Sequence, residues 1–128
     1  MTRTDKKVGY KPKSKYSQDS AGAEAAARDT ESALRMIEGR WKLVILYHLF
    51  VRPVMRFSEL EKAISGVSQK MLIQQLRELE RDGIVRRTVH PQVPPKVEYD
   101  LTRVGKALCP ALDALLEWGE LRQASSKQ

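Results

Sequence analysis

The stretch VSQKMLIQQLRELERDGIV, residues 67–85, sets the tightest limit on what this chain can become. On a wheel of ~100° per residue, Leu76 and Leu79 fall within about 40° of Leu72, while Lys70, Gln74, Arg77 and Arg81 gather about 170° away. Both ends are marked. Ser68 is an N-cap candidate, since its hydroxyl can accept from a free first-turn N–H, and Gly83 suits the left-handed position just past a helix C-terminus. A helix that only fills a core needs one good face. This one carries a second, cationic and rich in amides.

The flanks narrow the choice further. After Gly83 the apolar period changes from helical to two: IVRRTVH and KVEYDL read as strands, separated by PQVPP, which can be neither helix nor good strand. Strand, stiff loop and strand make a hairpin. Upstream, SELEKAI reads as a short helix opened by a Ser58–Glu61 capping box, with Leu60 and Ile64 inward and Glu59 outward; Ser65-Gly66 is the turn into the next helix. Before it, Leu34 and Ile37 form the stripe of a short first helix that Gly39 ends. A second helix, with Trp41, Val44, Ile45 and His48 at helical spacing, is apolar nearly all round and should be the central one. Pro53 blocks its continuation, and VRPVMRF supplies a turn and a short extended piece. Thr102 caps a final helix reaching to about Gln123, which Pro110 bends or divides.

Two helices joined by a short Gly-containing turn and followed at once by a β-hairpin make a winged helix-turn-helix. The expected fold is α+β, mainly α. Residues 1–27 read as a disordered basic arm, 28–123 as the domain and 124–128 as a disordered tail. The arm's lysines can touch phosphates loosely or simply keep the chain in solution.

Charge bears on partners. The formal net charge is +7. Residues 1–27 hold six basic and three acidic side chains, or +3, and the remainder 17 and 13, or +4. The domain is thus only mildly basic, and a binding face has to come from where its charges sit. A charged helix face is by default a solvated one. Here the hairpin with Arg86, Arg87 and Lys96 follows directly, which is what groove-plus-wing binding of nucleic acid requires. A major groove about 12 Å wide admits one helix. Ser68, Gln69 and Lys70 lie at the N-terminal end that usually enters it, and Gln74 lies one turn on. Gln pairs bidentately with adenine, and Lys or Arg with guanine. Arg77 and Arg81, deeper along the helix, suit phosphates, and Arg87 and Lys96 place cations on the wing. The competing expectation is a winged-helix protein-interaction module that uses the same faces without specific DNA binding.

The residues also carry a family resemblance. RFSEL, GVSQKML, QLRELERDGIV, VPPKVEY and LTxxG together resemble the HxlR-type winged helix-turn-helix regulators over roughly residues 29–122. The resemblance implies a bacterial or archaeal transcription regulator that binds a pseudo-palindromic operator as a homodimer. It implies a recognition helix over residues 68–82, a wing tip over 91–95 and dimer contacts through the N- and C-terminal helices. Two departures stand out. Many relatives carry a cysteine about thirteen residues before the Trp of a Gly-Gly-Lys-Trp motif; here Arg28 occupies that place and the motif reads Glu38-Gly39-Arg40-Trp41. Redox sensing by that N-terminal thiol is therefore not available to this chain.

Other chemistry is thinly supported. Cys109 is the single cysteine, so no internal disulfide forms, and a reducing cytoplasm is expected. By position it is a small core or interface residue. No run of ~18 apolar residues suggests a membrane span, and no apolar signal core is present. His48 and His90 lack the companions a metal would need, and no catalytic constellation or cofactor motif appears. Trp41 and Tyr47 can pack in the core or line a dimer cleft that admits a small apolar effector.

Overall fold

A computed structural model of the chain describes residues 19–126. Residues 1–18 of the expected arm, and 127 and 128 of the expected tail, lie outside the described residues. The chain divides into two compact units, residues 1–36 and 37–128.

The first unit holds nearly all of α1, Ser20–Ile37. It opens where the Asp19 carboxylate accepts from the Gly22 N–H at 2.7 Å. The block AGAEAAA, expected within the arm, is helical throughout, because alanine gives up almost no side-chain entropy in a helix. Leu34 and Met36 remain exposed.

The second unit runs α2 (Arg40–Val51), β1 (Val54–Arg56), α3 (Phe57–Ala63), α4 (Gln69–Arg81), β2 (Val85–His90), β3 (Lys96–Leu101), α5 (Arg103–Lys106) and α6 (Leu108–Ser126). The sheet is antiparallel in the order β1-β3-β2. This is the winged helix-turn-helix: α3 and α4 form the helical pair, and β2 and β3 the wing. Helix α2 is central, packing on α3, α4 and β3. Its Ile45, Leu46 and Leu49 meet Leu60 of α3, Leu72, Leu76 and Leu79 of α4, Met55, Val85, Tyr99 and Leu101 of the sheet, and Leu112 of α6. None of the described helices is long and apolar enough to cross a membrane.

Three local outcomes differ from the pattern reading. Helix α3 starts at Phe57, so the Ser58–Glu61 box does not form. Instead the Arg56 N–H donates to Glu59 Oε1 at 2.8 Å, and Glu59 also accepts from Arg52 at 2.9 Å. Strand β1 runs straight into the helix, and its pairing with β3 (Arg56 opposite Glu98) fixes where the first free N–H groups fall. Glu59, expected merely to face outward, is the capping carboxylate. That hydrogen bond from the Arg56 backbone, reinforced by Arg52, holds its pKa below the ordinary value. Next, the C-terminal segment divides at Ala107, three residues ahead of Pro110; proline is tolerated in the first turn of α6, where its missing N–H has no helical partner to lose. Last, α6 continues to Ser126, into the expected tail.

Thr102 ties this region together. Its hydroxyl accepts from the Gly105 N–H at 3.0 Å and lies 2.6 Å from the Gly83 carbonyl and 3.1 Å from that of Ile84. Its own N–H donates to Ile84 O at 3.0 Å. The end of the wing is thereby clamped to the chain that leaves α4.

Candidate nucleic-acid interface

Helix α4 separates its two faces as its sequence requires. Leu72, Leu76 and Leu79 are fully buried against α2 and the sheet, and Gln69, Lys70, Gln74, Arg77 and Arg81 are exposed along the opposite side. Ser68 caps the helix, its Oγ accepting from Met71 N–H at 3.1 Å, and Gly83 leaves it at φ 75°. The outer face forms a shallow, open concavity floored by Ile73 and lined by Gln69, Lys70, Gln74, Arg77 and Arg81.

One acid lies in this row. Glu78 flanks the concavity, but Lys42 reaches it from α2, Nζ 2.6 Å from Oε1. Gln74 Nε2 donates to the other carboxylate oxygen at 3.3 Å. Lys42 is only 7% exposed, although lysine is seldom buried without a partner. The pair therefore neutralises the acid nearest the cationic face and joins α2 to α4. Sequence reading passed over Lys42, yet it lies three and four residues before the buried Ile45 and Leu46, on their stripe.

The hydrogen bond from Lys42, followed by that from Gln74, holds the Glu78 pKa below its ordinary 4.5. Folding then favours the charged form. The contribution stands in full above about pH 4.5 and fades as pH falls through the lowered value. A Glu78→Gln variant should be less stable than the parent at neutral pH, and the gap should narrow below about pH 4.5. Urea midpoints measured from pH 3 to 7 check this; a gap independent of pH means the ion pair is not its source.

The wing divides its cations. Arg87 stands opposite Tyr99 and Lys96 opposite His90. Side chains alternate along a strand, so Arg87 shares the inward face of buried Tyr99 and Lys96 lies on the other. Burial raises the Tyr99 phenol's pKa, and the nearby Arg87 and Arg77 guanidinium groups pull it back, with Glu80 opposing them. The structure therefore brings Arg77 and Arg87 toward one phenol. Lys96 is set apart, 3.8 Å from Glu98, which also meets His90 Nε2 at 2.7 Å. Arg86 grips Asp100 with two prongs, Nε to Oδ1 at 3.1 Å and Nη2 to Oδ2, and is the least available of the wing cations.

Trp41 and Tyr47 do not share a cleft. Six residues of helix turn them about 120° apart. Trp41 lies toward the α3–α4 turn, its ring 3.8 Å from where a Cβ at Gly66 would stand and beneath the Arg40 guanidinium. Tyr47 turns to α6, donating to Leu112 O at 3.3 Å, and lines a groove with Leu43, Leu115, Leu116 and Gly119. Cys109 is half-buried, its Sγ 3.9 Å from Asp113 Oδ2. Among the described residues, no cluster of three or more His, Cys, Asp or Glu could hold a metal ion.

Comparison with known proteins agrees with this geometry. A family model described as HxlR-like helix-turn-helix matches residues 36–127. An HTH-type transcriptional regulator of Methanothermobacter thermautotrophicus is 44% identical over 106 residues, 83% of this chain and 80% of the relative. The HTH-type transcriptional regulator YtcD of Bacillus subtilis is 52% identical over 89 residues, 70% of each chain. Among solved structures, a transcriptional regulator of the MarR family from Enterococcus faecalis V583 superposes with a TM-score of 0.73 at 40% identity, covering 80% of this chain and 93% of that one. The redox regulator HypR in its reduced form gives 0.69 at 43% identity, covering 77% and 97%.

Proposed function

The chain belongs to the HxlR-like helix-turn-helix family of winged-helix transcriptional regulators, and from that premise we propose that it binds double-stranded operator DNA as a homodimer. Its relatives are regulators rather than enzymes. One observation carries the reading: α4 buries three leucines completely while its opposite face offers three cations and two amides to solvent. Gln69 and Lys70, at the N-terminal end, meet base edges in the major groove, with Gln74 one turn on. Ser68, whose hydroxyl is engaged in the cap, adds the dipole and free N–H groups of a helix N-terminus beside a phosphate. Arg77, Arg81 and Arg87 meet phosphates. Lys96 reaches the backbone or minor groove by loosening its hold on Glu98.

Exposed apolar side chains support the dimer. Leu34 and Met36 on α1, and Leu115, Leu116, Trp118 and Leu121 on α6, leave apolar surface that a second copy would cover. Two-fold symmetry then gives a pseudo-palindromic site with half-sites about 10–10.5 base pairs apart or a multiple of that.

Selection of bound duplexes from a random pool tests all of this together. The expected outcome is an enriched inverted repeat of that spacing. Gln69→Ala should relax preference at one position of each half-site, whereas Arg77→Ala should weaken every sequence alike. Failure to enrich any sequence, with no salt-dependent retention of random duplex, would leave the protein-interaction module as the better reading.

A further inference from the structure

A cavity of about 370 Å³ lies apart from the α4 face and from the groove beside Tyr47. Its walls are the end of α2 (Leu49, Phe50), Pro53, the start of β1 (Val54) and the end of β3 (Leu101). Its size is in the range of small-molecule sites, which are mostly apolar with a few placed polar groups. Three residues supply those groups here: Asp100, Lys106 and Cys109.

Their states are unequal. Asp100 is occupied, both carboxylate oxygens being held by Arg86. Lys106, on α5, has no side-chain hydrogen bond or ion pair among the described residues. One uncompensated positive charge therefore stands at an apolar cavity. We propose that this cavity binds a small apolar monocarboxylic acid, its hydrocarbon part against Leu49, Phe50, Val54 and Leu101 and its carboxylate on the Lys106 ammonium. A neutral analogue leaves the ammonium unpaired, and a cationic one adds repulsion. The site joins the base of the wing to the α5–α6 junction, so an occupant bears on how the wing is held. That consequence rests on the DNA reading above; binding of the acid does not.

Cys109 makes the test direct. It is the chain's single cysteine and it lines the cavity, so thiol labelling of the whole protein reports on this place alone. The probes share one skeleton: phenylacetate, phenylacetamide and phenethylamine, with 2-naphthoate as a larger acid. The rate of Cys109 alkylation by iodoacetamide is measured against each, alongside the thermal midpoint. An acid present at ten times its Kd should slow labelling roughly tenfold and raise the midpoint, because it binds only the folded chain. The amide and the amine should protect far less at equal concentration. Lys106→Gln, at an exposed position, should leave the unliganded midpoint unchanged and weaken the acid by about fivefold, the scale of one exposed charge contact. Val54→Phe, which fills the cavity from a half-exposed position, should abolish protection. Equal protection by acid, amide and amine, protection indifferent to Lys106→Gln, or no protection by either acid overturns the proposal. All readouts use protein without DNA, so they stand apart from the outcome of the duplex selection.

Discussion

Alanine at position 105 is expected to cost the domain at least about 3 kcal/mol, the upper end for overpacking and a large share of the 5–15 kcal/mol that holds a domain together. Gly105 is buried, and a Cβ there would stand 2.1 Å from the Ile84 carbonyl oxygen and 3.1 Å from Leu101 Cδ2. The obstacle is backbone, so no rotamer change relieves it. Either α5 lifts from the sheet or the start of β2 moves. Both disturb the Thr102 N–H bond to Ile84 O and the Thr102 hydroxyl's contact with Gly83 O. Gly119 supplies the control. It also lies in a helix, but nothing stands within 4 Å of its would-be Cβ, so Gly119→Ala should stabilise by about 0.5–1 kcal/mol through the lower backbone entropy of the unfolded chain. Urea unfolding of the two variants beside the parent decides the matter. A Gly105→Ala domain within 1 kcal/mol of the parent would mean that the close approach of α5 to Ile84 is not obligatory.

Removing Lys70, Arg77 and Arg81 together, each to alanine, should weaken DNA binding by about a hundredfold at ~0.15 M salt. Each phosphate contact contributes a slope of about 0.9 in log affinity against log salt, which at that concentration is worth roughly fivefold, and three such contacts multiply. The salt slope should fall by nearly 3 at the same time. The three side chains are exposed on one face of α4, away from Leu72, Leu76 and Leu79, so the fold should be unaffected. Arg103→Ala with Arg122→Ala, which removes exposed charge from α5 and α6, should leave the slope nearly unchanged. Titrations of a labelled duplex at several salt concentrations give both quantities. If the two variants lose affinity in proportion to lost charge alone, the positive field of the whole domain is responsible and α4 has no special part.

The elements most legible in the sequence were those whose determinants are local. Ser68, Gly83 and Thr102 act within a turn or two of chain, and each performs the task its type and place suggested. The segregation of leucines from cations on α4 follows from helical pitch alone. Where neighbouring signals compete, local reading chose wrongly: Ser58 and Glu61 satisfy the capping pattern, but Arg56 and Glu59 take the position because β1 delivers the chain there. Lys42 looked like an ordinary surface lysine in an apolar helix until Glu78, 36 residues away on another helix, came within 2.6 Å of it.

By itself, then, the sequence determined the order of helices and strands, the two faces of α4, and a mainly helical fold with a wing. These depend on periods, caps and turn residues that operate over a few positions. Tertiary structure alone decided which wing cation faces α4, which acid is neutralised, that Trp41 and Tyr47 part company, and that a cavity opens beside Lys106 and Cys109. Each of those depends on strand register or on the approach of segments distant in the chain. A shift of one residue in register exchanges the two faces of a strand.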